Sequence, residues 1–240
     1  MIDLHCHILP GLDDGAPDPG VSLEMAAMAA DAGVSRIFAT PHCNTRNEQK
    51  NFRSQALLDA CAALQDALDD EGIPVRIYPG AEVLARGRFE KHLAAGDFMT
   101  LNGSRYLLTE FYFDESADYM GHCLQAISEA KLVPVIAHPE RYYCVQRSPE
   151  LAELWAQNGC VLQINKGSLL GELGEGSFVT ASMLLRRGVV SVIASDAHHF
   201  RYRTPQMHML PELLLRRFPE VDPELLLRVN PLRIAEDFAL

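Results

Sequence analysis

Residues 106–138 read YLLTEFYFDESADYMGHCLQAISEAKLVPVIAH and contain one complete unit of strand, helix and strand. The apolar runs 106–110 and 133–137 predict the two strands, and the apolar spacing of 117–130 between them predicts an amphipathic helix. Strands joined by a helix of this length lie parallel in one sheet. Each strand ends at a residue type that binds metal ions, since Glu110 closes the first strand and His138 follows the second.

The same unit recurs along the chain, and strands are predicted at 2–7, 35–40, 75–79, 106–110, 133–137, 160–165 and 191–195. Helices are predicted at 19–33, 51–71, 117–130, 149–158 and 178–187. This alternation predicts an α/β fold with a mainly parallel sheet, and the number of units indicates a small (β/α) barrel slightly short of the eightfold form. Because no repeat or linker-like tract interrupts the pattern, we expect a single domain over residues 1–240.

The composition, with 48% hydrophobic and 22% charged residues, is that of a globular protein and excludes a disordered chain. The longest apolar runs are far shorter than the about 20 residues of a membrane-spanning helix. The N-terminal sequence MIDLHCHILP has no basic region of the kind that opens a secretory signal. We therefore expect no membrane insertion and a cytoplasmic location. The 32 acidic and 21 basic residues give a net charge of -11, which argues against nucleic-acid binding.

Residue types that can bind metal ions follow six of the seven predicted strands. His5 and His7 close the first strand, and because side chains alternate along a strand, the two imidazoles face the same way. The other residues of this kind are Asp13, Asp14, His42, Glu82, Glu110, His138, Asp196 and His198. Such positions converge at the C-terminal mouth of a barrel, where active sites of this architecture lie. Imidazoles and carboxylates without thiolates favour Mn, Fe, Zn or Mg over a structural cysteine-rich zinc site.

Taken singly, each of these residues has an ordinary structural explanation. A lone H-x-H is weak evidence for a metal, the sequence Asp13-Asp14-Gly15 is typical of a turn, and Glu110 is a common kind of ion-pair partner. A lone histidine at a strand end usually packs or bonds to solvent. Their joint placement after six of seven strands is what favours a metal centre.

The motifs MIDLHCHILPGLDDGAPD, TPH, GAE, LLTEF, AHPERY and SDAHH occur in this order between residue 1 and about residue 209. They resemble the motifs of the PHP (polymerase and histidinol phosphatase) superfamily, and most closely those of the bacterial CpsB/CapC-type protein tyrosine phosphatases. The resemblance implies a distorted (β/α)7 TIM-like barrel, the PHP fold, with up to three divalent metal ions at the C-terminal mouth. Manganese is the foremost candidate, and Fe, Zn, Mg and Co are compatible alternatives. The implied ligands are His5, His7, Asp14, His42, Glu82, Glu110, His138, Asp196 and His198, with Glu82 as the bridging carboxylate.

The resemblance also assigns phosphate binding to two arginines, Arg141 and Arg203. A planar guanidinium can hold two phosphate oxygens at once. Arg201 stands two residues before Arg203 and is the alternative for the second role. The aromatic residues of the same loops either form a wall for a phosphotyrosine ring or pack in the core, and they are Phe111, Tyr112, Phe113, Tyr142, Tyr143 and Phe200.

The resemblance therefore implies a metal-dependent phosphatase that hydrolyses phosphotyrosine in proteins by means of a metal-activated water. It also implies a partner, a bacterial tyrosine kinase that governs capsule or exopolysaccharide synthesis. Two alternatives stay open, a small-molecule phosphatase such as histidinol-phosphate phosphatase and a non-catalytic metal-binding module. None of the six cysteines begins the C-x5-R sequence of the cysteine-dependent tyrosine phosphatases, so a cysteine nucleophile is not expected.

Overall fold

The structure is a computed structural model that describes residues 1–45 and 50–240. Its strands are all parallel and, in chain order, are β1 (Ile2–Cys6), β2 (Arg36–Ala39), β3 (His42–Cys43), β4 (Arg76–Pro79), β5 (Glu82–Leu84), β6 (Tyr106–Glu110), β7 (Val133–Ala137), β8 (Val161–Asn165) and β9 (Val192–Ala194). Each predicted strand is present. The residues after two of them form the additional short strands β3 and β5 instead of loops.

The strands form a distorted barrel, as the sequence predicts. Its wall has seven staves, where a stave is one strand position in the wall. Hydrogen bonding gives the orders β1-β2-β4 and β3-β5-β6-β7-β8-β9. Only Thr40 and Pro41 separate β2 from β3, and only two residues separate β4 from β5, so each pair is one interrupted stave. The barrel closes between β1 and β9, where the Asp196 amide donates to the His5 carbonyl at 2.9 Å and the His7 amide donates to the Ala197 carbonyl at 2.9 Å.

The helices follow the strands as the pattern predicts, with added short ones. They are α1 (Pro19–Asp31), α2 (Gln55–Asp70), α3 (Phe89–Ala95), α4 (Ala117–Glu129), α5 (Tyr143–Arg147), α6 (Glu150–Gln157), α7 (Lys166–Leu169), α8 (Glu175–Arg186), α9 (Leu210–Arg217) and α10 (Asn230–Ala235). The prediction placed the start of α2 four residues too early, at residue 51. Ser54 sets the observed start because its side chain accepts a hydrogen bond from the Leu57 amide. The short helices α3, α5 and α7 have too few turns for apolar periodicity to reveal them.

Two apolar layers hold the barrel together. One lies inside it and includes Leu4, Leu108 and Val135, and the other lies between the staves and the helices. The C-terminal tail covers the end of the barrel opposite the histidines and carboxylates that follow the strands. Ile234 of α10 packs into the inner layer, and the Tyr106 hydroxyl donates to the Phe238 carbonyl at 2.7 Å. The apolar tail of the sequence thus closes the barrel floor. Among the described residues, no helix has the length and apolar character needed to cross a bilayer.

In β1 the side chains do not alternate strictly between the inside and the outside of the barrel. Its pairing with β2 is irregular between Asp3 and Cys6. Leu4 belongs to the inner apolar layer, and the next residue, His5, contacts carboxylates of the barrel mouth. A regular strand would send these two side chains to opposite faces. The irregularity therefore lets β1 supply both an apolar floor residue and the two histidines of the mouth.

Candidate metal centre

The two interrupted staves place a histidine and a glutamate side by side. His42 begins β3 and Glu82 begins β5, and the two residues are register partners in the sheet. Glu110 ends β6 in register with Leu84 at the end of β5. The interruptions therefore turn what the sequence shows as loop residues into a row of inward-facing ligand-type side chains.

Three site residues adopt a left-handed backbone conformation that is rare outside glycine. His138 follows β7 with φ 36°, Asp196 follows β9 with φ 51°, and Arg203 has φ 46°. Each such backbone conformation costs about 1–3 kcal/mol and persists only where the surrounding structure holds it in place. Hydrogen bonds hold the first two, because the Arg141 amide donates to the His138 carbonyl and the Asp196 amide donates to His5. The turns aim the side chains of His138 and Asp196 into the barrel mouth.

Glu82 is the central carboxylate of the cluster and is almost completely buried. Its Oε2 atom lies 3.2 Å from His5 Nε2, 3.3 Å from His7 Nε2 and 3.0 Å from His42 Nδ1. Its Oε1 atom lies 3.0 Å from His138 Nε2. One side chain thus meets four imidazoles, which is the arrangement expected of a carboxylate shared between metal ions.

The predicted ligands come together in three overlapping groups of described residues, in each of which the ligand atoms lie within 4.8 Å of one another. The groups are His5, His7 and Asp196; His42, Glu82 and Glu110; and His7, Asp14, His42 and His198. His138 joins them through Glu82. The structure therefore gathers all nine predicted ligands at one mouth.

Hydrogen bonds to neighbouring oxygens fix the ring nitrogen that three of the histidines present to the cluster. Each of the three uses its Nδ1–H as a donor, which leaves the lone pair of Nε2 facing the cluster. The bonds are His5 Nδ1 to Gln163 Oε1 at 2.8 Å, His7 Nδ1 to Asp13 Oδ2 at 2.7 Å, and His198 Nδ1 to the Asp196 carbonyl at 3.0 Å. Metal-ligating histidines are oriented in this way.

Several buried ligand atoms have no hydrogen-bond partner among the described residues. They include Asp196 Oδ1 and His198 Nε2. A buried polar atom without a partner costs about 1–3 kcal/mol. Divalent cations would satisfy these atoms together, so the residues of the cluster fit a metal centre.

Electrostatics of the cluster also favour cations. Burial opposes charge on His5, but the carboxylates of Glu82 and Asp196 outweigh it and raise the pKa of His5. At His42 the same balance of burial against the Glu82 carboxylate raises the pKa to about 10. Burial would raise the pKa of Glu82, yet the facing histidines hold it well below its usual value. Without metal, protons therefore occupy positions that a metal ion takes when it binds.

Two polar residues of β8, Gln163 and Asn165, orient His5 and Asp196, although the strand-end pattern did not predict them. Gln163 bonds to His5, and Asn165 Nδ2 donates to Asp196 Oδ2 at 2.5 Å. Strand 160–165 was the one predicted strand without a metal-type residue after it. The signal was present in the sequence, because two polar residues at alternate positions of an otherwise apolar strand face the same side.

The two neighbouring aspartates of the first loop, Asp13 and Asp14, make different contacts. Asp13 lies behind the cluster, where it accepts hydrogen bonds from His7 Nδ1 and from the His42 amide. Asp14 Oδ1 faces the cluster, 3.4 Å from His42 Nε2 and 3.6 Å from His198 Nε2. The structure therefore directs Asp14 toward the cluster and Asp13 to the hydrogen bonds behind it.

Both predicted arginines reach the edge of the cluster at Asp196. Arg203 Nη2 lies 2.6 Å from Asp196 Oδ2, and Arg141 Nη1 lies 3.6 Å from the same oxygen. The guanidinium of Arg201 instead stacks on the Phe200 ring at 5.0 Å. Of the two arginines that the sequence left open, the structure brings Arg203 to the cluster.

Comparison with known proteins identifies the family. Residues 1–236 match the family model described as capsular polysaccharide synthesis, CpsB/CapC. The chain belongs to the CpsB/CapC family. The expectation from the motifs is thereby confirmed over almost the whole chain.

Relatives of this CpsB/CapC chain are named tyrosine phosphatases. The chain is 37% identical over 203 residues to tyrosine-protein phosphatase YwqE of Bacillus subtilis, covering 85% of this chain and 79% of the relative. It is 28% identical over 242 residues to tyrosine-protein phosphatase CpsB of Streptococcus pneumoniae, covering 99% of each. A solved structure matches 100% of this chain and 96% of its own with TM-score 0.91 and 32% identity, and it comes from work on YwqE and CpsB, described as unique metal-dependent tyrosine phosphatases. The clustered imidazoles and carboxylates of this family member are a candidate site for divalent metal ions.

The substitution Gly15→Ala tests how closely the first loop of this CpsB/CapC family member packs against His7. A Cβ at Gly15 would lie 2.1 Å from the His7 carbonyl oxygen and 2.4 Å from its Cβ. Gly15→Ala is therefore expected to displace His7, to cost about 1–3 kcal/mol of stability and to lower the bound metal per chain. Thermal unfolding and elemental analysis measure both effects. Gly121→Ala in α4, where nothing lies within 4 Å, is the matched control, and equal metal content in the two variants would contradict the prediction.

Proposed function

We propose that this chain is a metal-dependent protein tyrosine phosphatase. Its proposed substrate is phosphotyrosine in a bacterial tyrosine kinase that regulates capsule or exopolysaccharide synthesis. The observation that supports the proposal most strongly is the gathering of nine ligand-type residues, with Glu82 at their centre and two arginines at their edge. A purely structural metal site needs no cationic rim of this kind. The family match favours this activity over the small-molecule phosphatase and over the non-catalytic module.

We further propose that the cluster holds up to three divalent ions, with Mn as the foremost candidate. The residues that would hold them are His5, His7, Asp14, His42, Glu82, Glu110, His138, Asp196 and His198. Bound divalent ions supply positive charge against the phosphate and acidify a water toward neutral pH. The leaving group is the phenolate of tyrosine, and the phenol has a pKa of about 10. Protonation of the leaving oxygen by an acid is therefore less necessary than for an alkyl ester.

Arg141 and Arg203 are the proposed phosphate-binding residues. Both guanidiniums are held at one oxygen of Asp196, which orients their remaining N–H groups at the edge of the cluster. A guanidinium presents five donors in a fixed plane and can bind two phosphate oxygens. The two arginines would therefore hold the phosphate while it loses its ester bond.

The proposal is tested by comparing two substrates. Metal-loaded protein is expected to hydrolyse a phosphotyrosine peptide with a kcat/KM at least roughly 100-fold above that for histidinol phosphate, which corresponds to about 2.7 kcal/mol. Phosphate release from each substrate gives the ratio. A preference for histidinol phosphate would place the protein among small-molecule phosphatases, and no hydrolysis of either by metal-loaded protein would contradict a catalytic role.

Thiol chemistry is expected to have no part in the reaction. All six cysteines are buried and free of disulfides. Burial raises the pKa of Cys43 and of Cys160 to about 12, so neither is a thiolate at neutral pH. Treatment of the folded, metal-loaded protein with iodoacetamide should change the rate by less than about twofold, given this protection. Rapid inactivation with labelling of one cysteine would contradict the metal-dependent mechanism.

Lys166 is a positioning residue for the loop that carries Arg203. It is buried, and its Nζ donates to the Thr204 carbonyl, to Thr204 Oγ1 at 3.2 Å and to the Gln206 carbonyl at 2.9 Å. Lys166→Met removes these bonds but keeps the length of the side chain. We expect inorganic phosphate to inhibit this variant roughly tenfold more weakly, as for the loss of about 1.4 kcal/mol, with unchanged metal content. Exposed Lys91→Met is the control, and equal inhibition of both variants would contradict the role.

We propose that residues 1–240 form one catalytic domain, and the bridge between Cys6 in β1 and Ala197, just after β9, supports this because it joins the first strand to the last. The proposed site of action is the cytoplasm.

A further inference from the structure

A separate cavity opens beside Arg141 at the rim of the metal centre. It has a volume of about 270 Å³ and is lined by Phe113, Arg141, Tyr143, Gln146, Leu173, Gly176 and Ser177. Pockets for whole drug-sized ligands measure roughly 300–1,000 Å³. The cavity is therefore of a size for one side chain, and none of its lining residues carries a carboxylate.

Phe113 borders both the phosphate-binding arginine and the metal centre. Its ring centre lies 4.3 Å from the guanidinium carbon of Arg141 and 6.1 Å from the ring of His138, edge to face. Arg141 in turn reaches Asp196 in the cluster. In an aryl phosphate only the ester oxygen separates the ring from phosphorus. A phosphate held by Arg141 thus places its own ring within reach of Phe113.

The aromatic residues near the mouth differ in exposure. Phe111 and Tyr142 are buried in the core, whereas Phe113 is 38% exposed and Tyr143 is 50% exposed. The Tyr143 amide donates to the Phe113 carbonyl at 2.8 Å, which holds the two exposed residues together. Exposed aromatic faces in a cavity are suited to an aromatic ligand, because ring pairs attract at centroid distances of 4.5–7 Å.

The rim on the side of α8 is kept open by a glycine. A Cβ at Gly176 would lie 2.9 Å from Gln146 Oε1. Gln146 is itself fixed, because its Nε2 donates to the Glu140 carbonyl at 3.0 Å. The first turn of α8 therefore approaches the Gln146 side chain closely, and a larger residue at position 176 would displace this part of the cavity wall.

We propose that this cavity receives the aromatic ring of the phosphorylated substrate residue, with Phe113 and Tyr143 as the residues that select aryl over alkyl phosphates. The inference rests on the proposed function and names the part of the chain that recognises the leaving group. Arg141 links the two halves of the site, since it binds the phosphate and stacks on Phe113. An alkyl phosphate such as phosphoserine has no ring to fill the cavity.

Binding of two phosphonates to the manganese-loaded protein tests the proposal without catalysis. Benzylphosphonate carries a CH₂ group in place of the ester oxygen of a phenyl phosphate, and methylphosphonate lacks the ring. Calorimetry is expected to show that the wild-type protein binds benzylphosphonate roughly three- to tenfold more tightly, the range given by an aromatic pair. Phe113→Ala and Tyr143→Ala should abolish this ratio, and Phe238→Ala, which removes an exposed ring outside the cavity, should retain it.

Each outcome has a definite meaning. A ratio near one in the wild-type protein, or a ratio that survives in both cavity variants, overturns the proposal. If the variants lose peptide hydrolysis but keep the benzyl preference, the cavity holds a neighbouring residue of the substrate chain and the proposal is wrong. Hydrolysis of the phosphotyrosine peptide by the wild-type protein is measured in parallel, so failure of the proposed function is recognised separately.

Discussion

Replacing Glu82 by glutamine is expected to reduce kcat/KM for a phosphotyrosine peptide by roughly 1,000-fold or more. The substitution keeps the shape of the side chain and removes the charge that faces four imidazoles. Metal ions contribute several kcal/mol to phosphoryl-group hydrolysis, and each 1.36 kcal/mol is about a factor of ten in rate. Kinetics of phosphate release and metal content per chain measure the two consequences.

The control for this substitution must separate catalysis from folding. Glu71→Gln removes a carboxylate from an exposed position at the end of α2 and should leave both rate and metal content unchanged. Circular dichroism and thermal unfolding show whether Glu82→Gln still folds. A folded Glu82→Gln protein with full metal content and near wild-type rate would contradict the central role of this carboxylate.

Removal of divalent metal is expected to abolish phosphotyrosine hydrolysis, and manganese should restore it. The cluster gathers imidazoles whose Nε2 lone pairs face acidic oxygens, and Arg141 and Arg203 alone cannot supply a nucleophile. Dialysis against a chelator followed by reloading gives both rates. Full activity of the chelated protein, with elemental analysis showing no metal, would contradict the mechanism.

Loading of the metal-free protein should also release protons. The raised pKa of His42, about 10, means that its proton is retained at neutral pH. This protonated form stabilises the metal-free fold fully below the unfolded value near 6.5, and the contribution is lost as pH rises through about 10. A metal ion competes with that proton, so apparent affinity should rise with pH. Calorimetry at one pH in two buffers of different ionisation enthalpy counts the protons, and identical heats would contradict the prediction.

Local pattern was sufficient for the strands and for the ligand types, because both depend on short-range sequence. Alternation of apolar runs with helical segments predicted the seven strands of the barrel, and the residues at the ends of six of them predicted most of the candidate metal centre. Pattern was insufficient where the backbone departs from regularity. The left-handed turn at Asp196 is held by a hydrogen bond to His5 in the distant strand β1, and β1 itself pairs irregularly with β2.

The sequence by itself determined that this protein is an α/β barrel with imidazoles and carboxylates at one end of its strands, since periodicity and strand-end position are local properties. Tertiary structure decided which of several nearby residues contacts the cluster and which lies behind it. It directed Asp14 to the cluster and Asp13 behind it, brought Arg203 to Asp196, and made Gln163 an orienting partner of His5. These choices depend on the register between strands far apart in the chain, which no local pattern encodes.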